Sequence, residues 1–379
     1  MWTLSKRTAL LGSTALLAVG LAAGQATCAD KIRVGLGGYF NAFFVYGDQD
    51  DGEGEAAEGR RDHKIAREAE VAFFGETVLD NGLTVGVNIK LEAETCDDQI
   101  DESYVYFEGS YGRLEVGSED PAPDAMFYGA PVPIAGVGLS TPDDVFASLT
   151  NSVGTPATIV NISGDAEKLT YFTPRIAGIQ LGLSYTPDNC EENSAGGDSG
   201  FACGGSYSGF QSEETPGQQS ESIEIGVNYV NSFGDVDIGA YAGYAAGDLE
   251  VSDPAAEDQN QWGLGFEVGY AGFTFGAEYK EDDQGSSGRN TDRTDWAVGL
   301  AYGQGPWTVG VQYVNAEVEE GDGLGEDETE GFQVGGTYNL GPGVLLTGGV
   351  TIWDVRDNLD DPASENDATS VIIGTIIEF

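Results

Sequence analysis

Positive charge is what this chain lacks most: 16 Lys and Arg stand against 64 Asp and Glu, with one histidine, for a formal net charge of -48. Such an excess of acid excludes nucleic acid as a partner. The single histidine, His63, sits among Arg60, Arg61 and Lys64 with no G-x-S-x-G nucleophile motif. No phosphate loop and no Cys-His metal set is present either, so the sequence offers no enzyme chemistry. Long apolar runs are missing beyond the N-terminal leader, which removes transmembrane helices from consideration. A chain of this sequence that crosses a membrane must do so as a closed barrel, because lipid cannot satisfy open sheet edges.

Residues 1–29 read as a secretory signal peptide: Lys6 and Arg7 precede the apolar run 9–23, and small residues follow. Cleavage after Ala26 and cleavage after Ala29 both fit. Loss of Lys6 and Arg7 makes the mature chain more acidic still. Residues 30–379 carry no linker and read as one β-barrel domain.

Glycine is abundant, 57 of 379 residues, without a collagen-like period. The glycines lie inside alternating stretches. In LTVGVNIKLEAE, Leu83, Val85, Val87, Ile89 and Leu91 alternate with Thr84, Gly86, Asn88, Lys90 and Glu92. A helical period would mix these two sets, so the segment is a strand with one apolar and one polar face. The same alternation runs through IRVGLGGYFNAFFVY, WGLGFEVGY, FTFGAEYK, WAVGLAY, WTVGVQY and FQVGGTYNL. Trp and Tyr gather at segment ends, as interfacial girdles require. Segment lengths suit tilted spans of roughly 9 to 11 residues.

Connections alternate as well. Short turns at 80–82, 109–112, 173–178, 231–234, 271–272, 303–306 and 340–343 separate long polar loops at 47–65, 95–101, 118–166, 186–220, 250–260, 282–293, 319–329 and 356–367. This predicts an all-β, antiparallel up-and-down transmembrane barrel of about sixteen strands, with both termini on the short-turn side. A β-sandwich adhesin also alternates, but does not keep long and short connections strictly odd and even.

Three stretches, LDNGLTVG (79–86), IDESYVYFEGSYGRLEVGSED (100–120) and KLTYFTPRIAGIQLGLSYTPD (168–188), together with the ending SVIIGTIIEF, resemble the general diffusion porins of Gram-negative outer membranes, particularly the alphaproteobacterial type. The resemblance implies an outer-membrane location, a homotrimer, and contact with lipid and lipopolysaccharide. It implies passive diffusion of ions and small hydrophilic solutes, with a solute-specific porin or a loop-displaying adhesin as alternatives. Phe379 matches the terminal aromatic read by the barrel assembly machinery.

The resemblance also implies that the third long loop, 118–166, folds inward and narrows the pore, with acids on the loop set against bases on the wall. The candidate acids are Glu119, Asp120, Asp124, Asp143, Asp144 and Asp165. The candidate wall bases are Arg33, Arg67, Lys90 and Arg113, although strict parity turns Arg67 outward. Apolar segments GAPVPIAGVGL and FASLTNSV in the loop call for a surface to pack on, and the barrel wall is available. An acidic lumen implies cation preference that weakens in strong salt.

Cys190 and Cys203 share one external loop in an oxidising compartment, which suggests a stapling disulfide, with two free thiols as the alternative. Cys96 is left over. No cofactor is expected, though the acidic tracts 48–58, 317–330 and 354–367 could bind Ca²⁺ through carboxylate oxygens without the spacing of an EF-hand.

Overall fold

The computed structural model describes residues 31–93, 100–140, 146–189, 217–253, 256–285, 292–319, 325–359 and 361–379. Sixteen strands are formed there. The first eight are β1 (Arg33–Asp48), β2 (His63–Val78), β3 (Thr84–Glu92), β4 (Ser103–Gly109), β5 (Gly112–Ser118), β6 (Glu167–Phe172), β7 (Ile179–Asp188) and β8 (Gln219–Phe233). The rest are β9 (Val236–Leu249), β10 (Gln259–Tyr270), β11 (Phe273–Asp282), β12 (Arg293–Gln304), β13 (Trp307–Glu319), β14 (Glu326–Gly341), β15 (Val344–Arg356) and β16 (Asn366–Glu378). One short helix, α1 (Ala122–Ala125), lies between β5 and β6.

Every strand pairs antiparallel with its sequence neighbours, and β1 pairs with β16 to close the cylinder. At the seam Phe40 stands opposite Ile377 and Phe44 opposite Ile373. The backbones of Gly38 and Phe379 exchange two hydrogen bonds of 3.0 Å there, so the last residue completes the ladder and no edge is left open.

Alternation sorts the side chains as period two demands. Val34, Leu36, Phe44, Leu264, Phe275, Val334 and Ile373 are all exposed on the outer face, which is the lipid face of a membrane barrel. Aromatic pairs border that band: Trp262 and Tyr279 at one level, with ring centroids 5.4 Å apart, and Trp307 with Tyr338 at the other, 4.3 Å apart. Along β10, Trp262 and Tyr270 mark both borders eight residues apart. At about 3.3 Å per residue and a tilt near 40° that interval spans about 20 Å of bilayer.

Several strands reach 15 or 16 residues, longer than the span of a bilayer. The excess lies on the long-loop side, where ladders continue into acid-rich ends such as Glu326, Asp327 and Glu328 paired to Glu319, Val318 and Glu317.

The inner face departs from a simple wet stripe. Phe43, Val45, Val314, Trp353, Ile372 and Ile376 point inward and are buried, because the segment between β5 and β6 covers them with Ile134, Ala135, Val137 and Leu139. Inward glycines clear its path. A Cβ at Gly276 would come within 2.2 Å of the Gly129 carbonyl, and one at Gly335 within 2.3 Å of the Ile134 side chain. Much of the glycine excess is therefore steric room for a loop against a wall.

Candidate functional site

The β5–β6 segment runs along the inner wall, and wall side chains hold it at successive strands. On the outward run, Ala122 N–H donates to Ser184 Oγ of β7 at 2.8 Å and Asn228 Nδ2 of β8 donates to the Met126 carbonyl at 3.0 Å. Ala130 N–H donates to Glu278 of β11. Gln333 of β14 accepts from Ile134 N–H at 2.9 Å and donates to the Val137 carbonyl at 2.8 Å.

The return run is held in the same way. Arg293 of β12 donates to the carbonyls of Val153 and Thr155 at 2.8 and 2.7 Å, while Asp295 accepts Ala157 N–H at 2.8 Å. Thr158 Oγ1 donates to Glu278 at 2.9 Å, and Glu224 of β8 accepts from Ile162 N–H at 2.9 Å and Ser163 Oγ at 2.5 Å. Lys168, buried at the start of β6, donates to the carbonyls of Gly164 and Ala166 at 2.7 Å each and to that of Glu119, which ties the two ends of the loop together.

These anchors lie on β6, β7, β8, β11, β12 and β14. The loop also covers Phe43 and Val45 of β1, and the passage runs between the loop and the polar side chains of β1 to β5. On that wall Tyr39 and Asn41 donate to Glu68 at 2.5 and 3.0 Å. Lys90 is buried between Glu102 at 2.5 Å and Glu70 at 3.9 Å. Arg113 pairs with Glu115, approaches Glu108 at 3.5 Å and covers the Tyr106 ring at 3.9 Å.

On the loop side stand Glu119, Asp120, Asp124 and Asp165. Asp124 accepts from Asn161 Nδ2 at 3.2 Å. Glu119 Oε1, Asp120 Oδ2 and Asp165 Oδ1, with Glu102 Oε2 beside them, have no hydrogen-bond partner among the described residues. Burial raises the carboxyl pKa values of Glu119, Asp124 and Asp165 well above the usual carboxylate range. Glu115 adds to the rise for Glu119, and Asp120 for the other two. The negative charge at the narrows therefore grows as pH rises.

Of the residues singled out in the sequence, Glu119, Asp120, Asp124 and Asp165 are thus brought together. Asp143 and Asp144 lie outside the described residues, as do Cys96, Cys190 and Cys203. Lys90 and Arg113 face the lumen, and Arg33 shares that face at the short-turn end, opposite Glu76. Arg67 does not belong to the pore wall: it pairs with Ala42 on the outer face and donates to the Ala93 carbonyl at 3.4 Å.

The acidic tracts gather no group of three or more His, Cys, Asp or Glu able to hold a metal among the described residues. Arg356 instead binds Glu328, Glu330 and Asp354 at 2.6 to 2.9 Å. The loop anchors Lys168, Glu224 and Glu278 escaped the sequence reading of the site. Glu224 and Glu278 do sit at inward positions of their strands, which was the available signal.

A closed sixteen-stranded cylinder with a loop packed inside it is accompanied by a direct sequence match: the profile described as Gram-negative porin covers residues 12–358. The chain belongs to the Gram-negative porin family. It is a protein of the outer membrane. Among curated relatives it is 25% identical over 317 residues to a protein named "Monosaccharide porin" from Halomonas sp, covering 77% of this chain and 79% of that one. The same values hold for a "Major outer membrane protein" of Halomonas elongata.

Solved porins share the fold. An anion-selective porin from Comamonas acidovorans superposes with a TM-score of 0.62 at 17% identity, over 92% of this chain and 100% of that one. OmpT of Vibrio cholerae in its trimer form gives 0.59 at 12% identity, over 92% and 100%. At these identities the likeness speaks for the architecture of this porin and leaves its selectivity to its own residues.

Proposed function

We propose that this porin is a passive, non-enzymatic, cation-preferring diffusion channel, exported by its N-terminal signal, recognised by the barrel assembly machinery through Phe379, and assembled as a homotrimer. One observation carries the charge preference. The narrows hold Glu119, Asp120, Asp124 and Asp165, while the nearby bases Lys90, Arg113 and Lys168 are each engaged by a carboxylate or by backbone carbonyls. The uncompensated sign is negative. Low-dielectric walls focus that potential and concentrate cations within it.

Liposome swelling with size-matched solutes tests this reading. Glucosamine should enter faster than glucose, and glucose faster than gluconate, with the differences shrinking as salt shortens the screening length from about 8 Å at physiological strength. Equal rates for the three, or gluconate fastest, would overturn it. A saturable sugar pathway is the second reading, favoured by the name of the Halomonas relative. It predicts that glucose flux levels off with concentration instead of rising in proportion.

A further inference from the structure

Beneath the loop, toward the short turns at 109–112 and 173–178, the passage widens into a half-open chamber of about 620 Å³. Four aromatic rings line it: Tyr104 from β4, Phe172 from the end of β6, and Phe127 and Tyr128 from the loop. Five acids line it as well, Glu102, Glu108, Glu115, Glu119 and Asp120, against two bases, Arg113 and Arg175.

The bases are already committed. Arg113 lies against Glu115 and Glu108, and Arg175 donates to the Gly178 carbonyl at 2.8 Å and to Gln180 at 2.6 Å. Glu102 is taken by Lys90. Glu119, only 5% exposed, keeps one oxygen without a partner, and so does Asp120.

Aromatic faces and unmatched carboxylates in one chamber are the chemistry that holds an organic cation. Ring quadrupoles attract it most when it is weakly hydrated, as a quaternary ammonium is and K⁺ is not. The wall carries its own example in Arg113, whose guanidinium sits over the Tyr106 ring. Neutral sugars would also stack on the rings, but would leave the negative charge unanswered.

We propose that this chamber is a binding subsite for small organic ammonium ions, on the short-turn side of the constriction. The proposal rests on the channel reading above and goes further by naming a solute class and a place.

The test uses the full-length porin in planar bilayers carrying KCl, with tetramethylammonium chloride added to one side at a time and glucose as the neutral control. Single-channel K⁺ current should fall in a saturating manner with tetramethylammonium. It should need at least a threefold lower concentration on the short-turn side, and glucose should have no such effect. Phe127→Leu with Tyr128→Leu should weaken the block about threefold to tenfold, and Glu119→Gln should weaken it too. Phe172→Leu serves as the aromatic variant if the loop double variant does not assemble.

Absence of saturation, block of equal strength from both sides, block unchanged in the variants, or glucose as effective as tetramethylammonium would each overturn the subsite. A protein that carries no KCl current at all would instead defeat the channel reading itself.

Discussion

Glu278 of β11 binds Thr158 across the lumen wall, its Oε1 accepting the threonine hydroxyl at 2.9 Å while its other oxygen accepts the Ala130 amide. One buried carboxylate thus clamps both the outward and the return run of the constricting loop. Charge-assisted hydrogen bonds of this kind contribute roughly 1.5–3 kcal/mol each. Glu278→Ala should therefore loosen the loop without opening the barrel. Single-channel recording should find higher conductance and more open-channel noise, with folding yield retained. Unchanged conductance and noise would show that the clamp does not set the aperture.

The unmatched acids at the narrows should set selectivity by number. A unit charge about 7 Å away in water-like dielectric attracts K⁺ and repels Cl⁻ by roughly 0.6 kcal/mol each, which screening over about 8 Å cuts to about 0.25 each, or two- to threefold in their permeability ratio. Asp120→Asn should lower the K⁺ to Cl⁻ permeability ratio by about that factor. Asp165→Asn should lower it further only as pH rises through the raised range of that carboxyl. Zero-current potentials in a KCl gradient measure it.

These two sites differ in how far the sequence revealed them. Period two over Leu83–Leu91 and Trp262–Tyr270 gave the strand faces outright, because lipid on one side and water on the other leave no other sorting. The alternation of long and short connections gave strand number and the side of the termini. Phe43, Trp353 and Ile372 broke the inward polar rule for a reason that period two cannot express: a distant segment packs on them. Whether a polar inward residue such as Glu278 meets water or a loop amide depends on a partner 148 positions away. For the same reason the commitment of Lys90 to Glu102 and Glu70 was invisible, and Lys90 read simply as a base of the pore wall. Arg67 is the opposite case, since parity alone already turned it outward.

Burial and like charge raise the carboxyls of Glu119, Asp124 and Asp165. Such groups keep protons to higher pH than ordinary carboxylates, so the lumen gains negative charge as pH rises through that raised range. Cation preference should climb as pH rises, over a range set above that of a free carboxylate. The folded state binds more protons than the unfolded chain across the same window, so these groups make stability fall as pH rises through it. A zero-current potential series over pH reads the first effect, and a flat series would refute it.

Lys90 joins β3 to the segment before β4 by filling the gap between Glu102 and Glu70. Removing one partner of a buried pair strands the other charge, at roughly 3–5 kcal/mol. Lys90→Met should lower resistance to urea extraction from detergent micelles by about that amount, and adding Glu102→Gln should recover most of it. Equal stability of the two variants would mean that Glu102 does not carry the cost.

The zero-current potential across a planar bilayer separating concentrated from dilute KCl tests the whole account most directly. An acidic pore with its bases neutralised makes K⁺ the more permeant ion, so the dilute side should become positive, less so as both solutions are made more concentrated. A dilute side that turns negative, marking Cl⁻ as the faster ion, would contradict it.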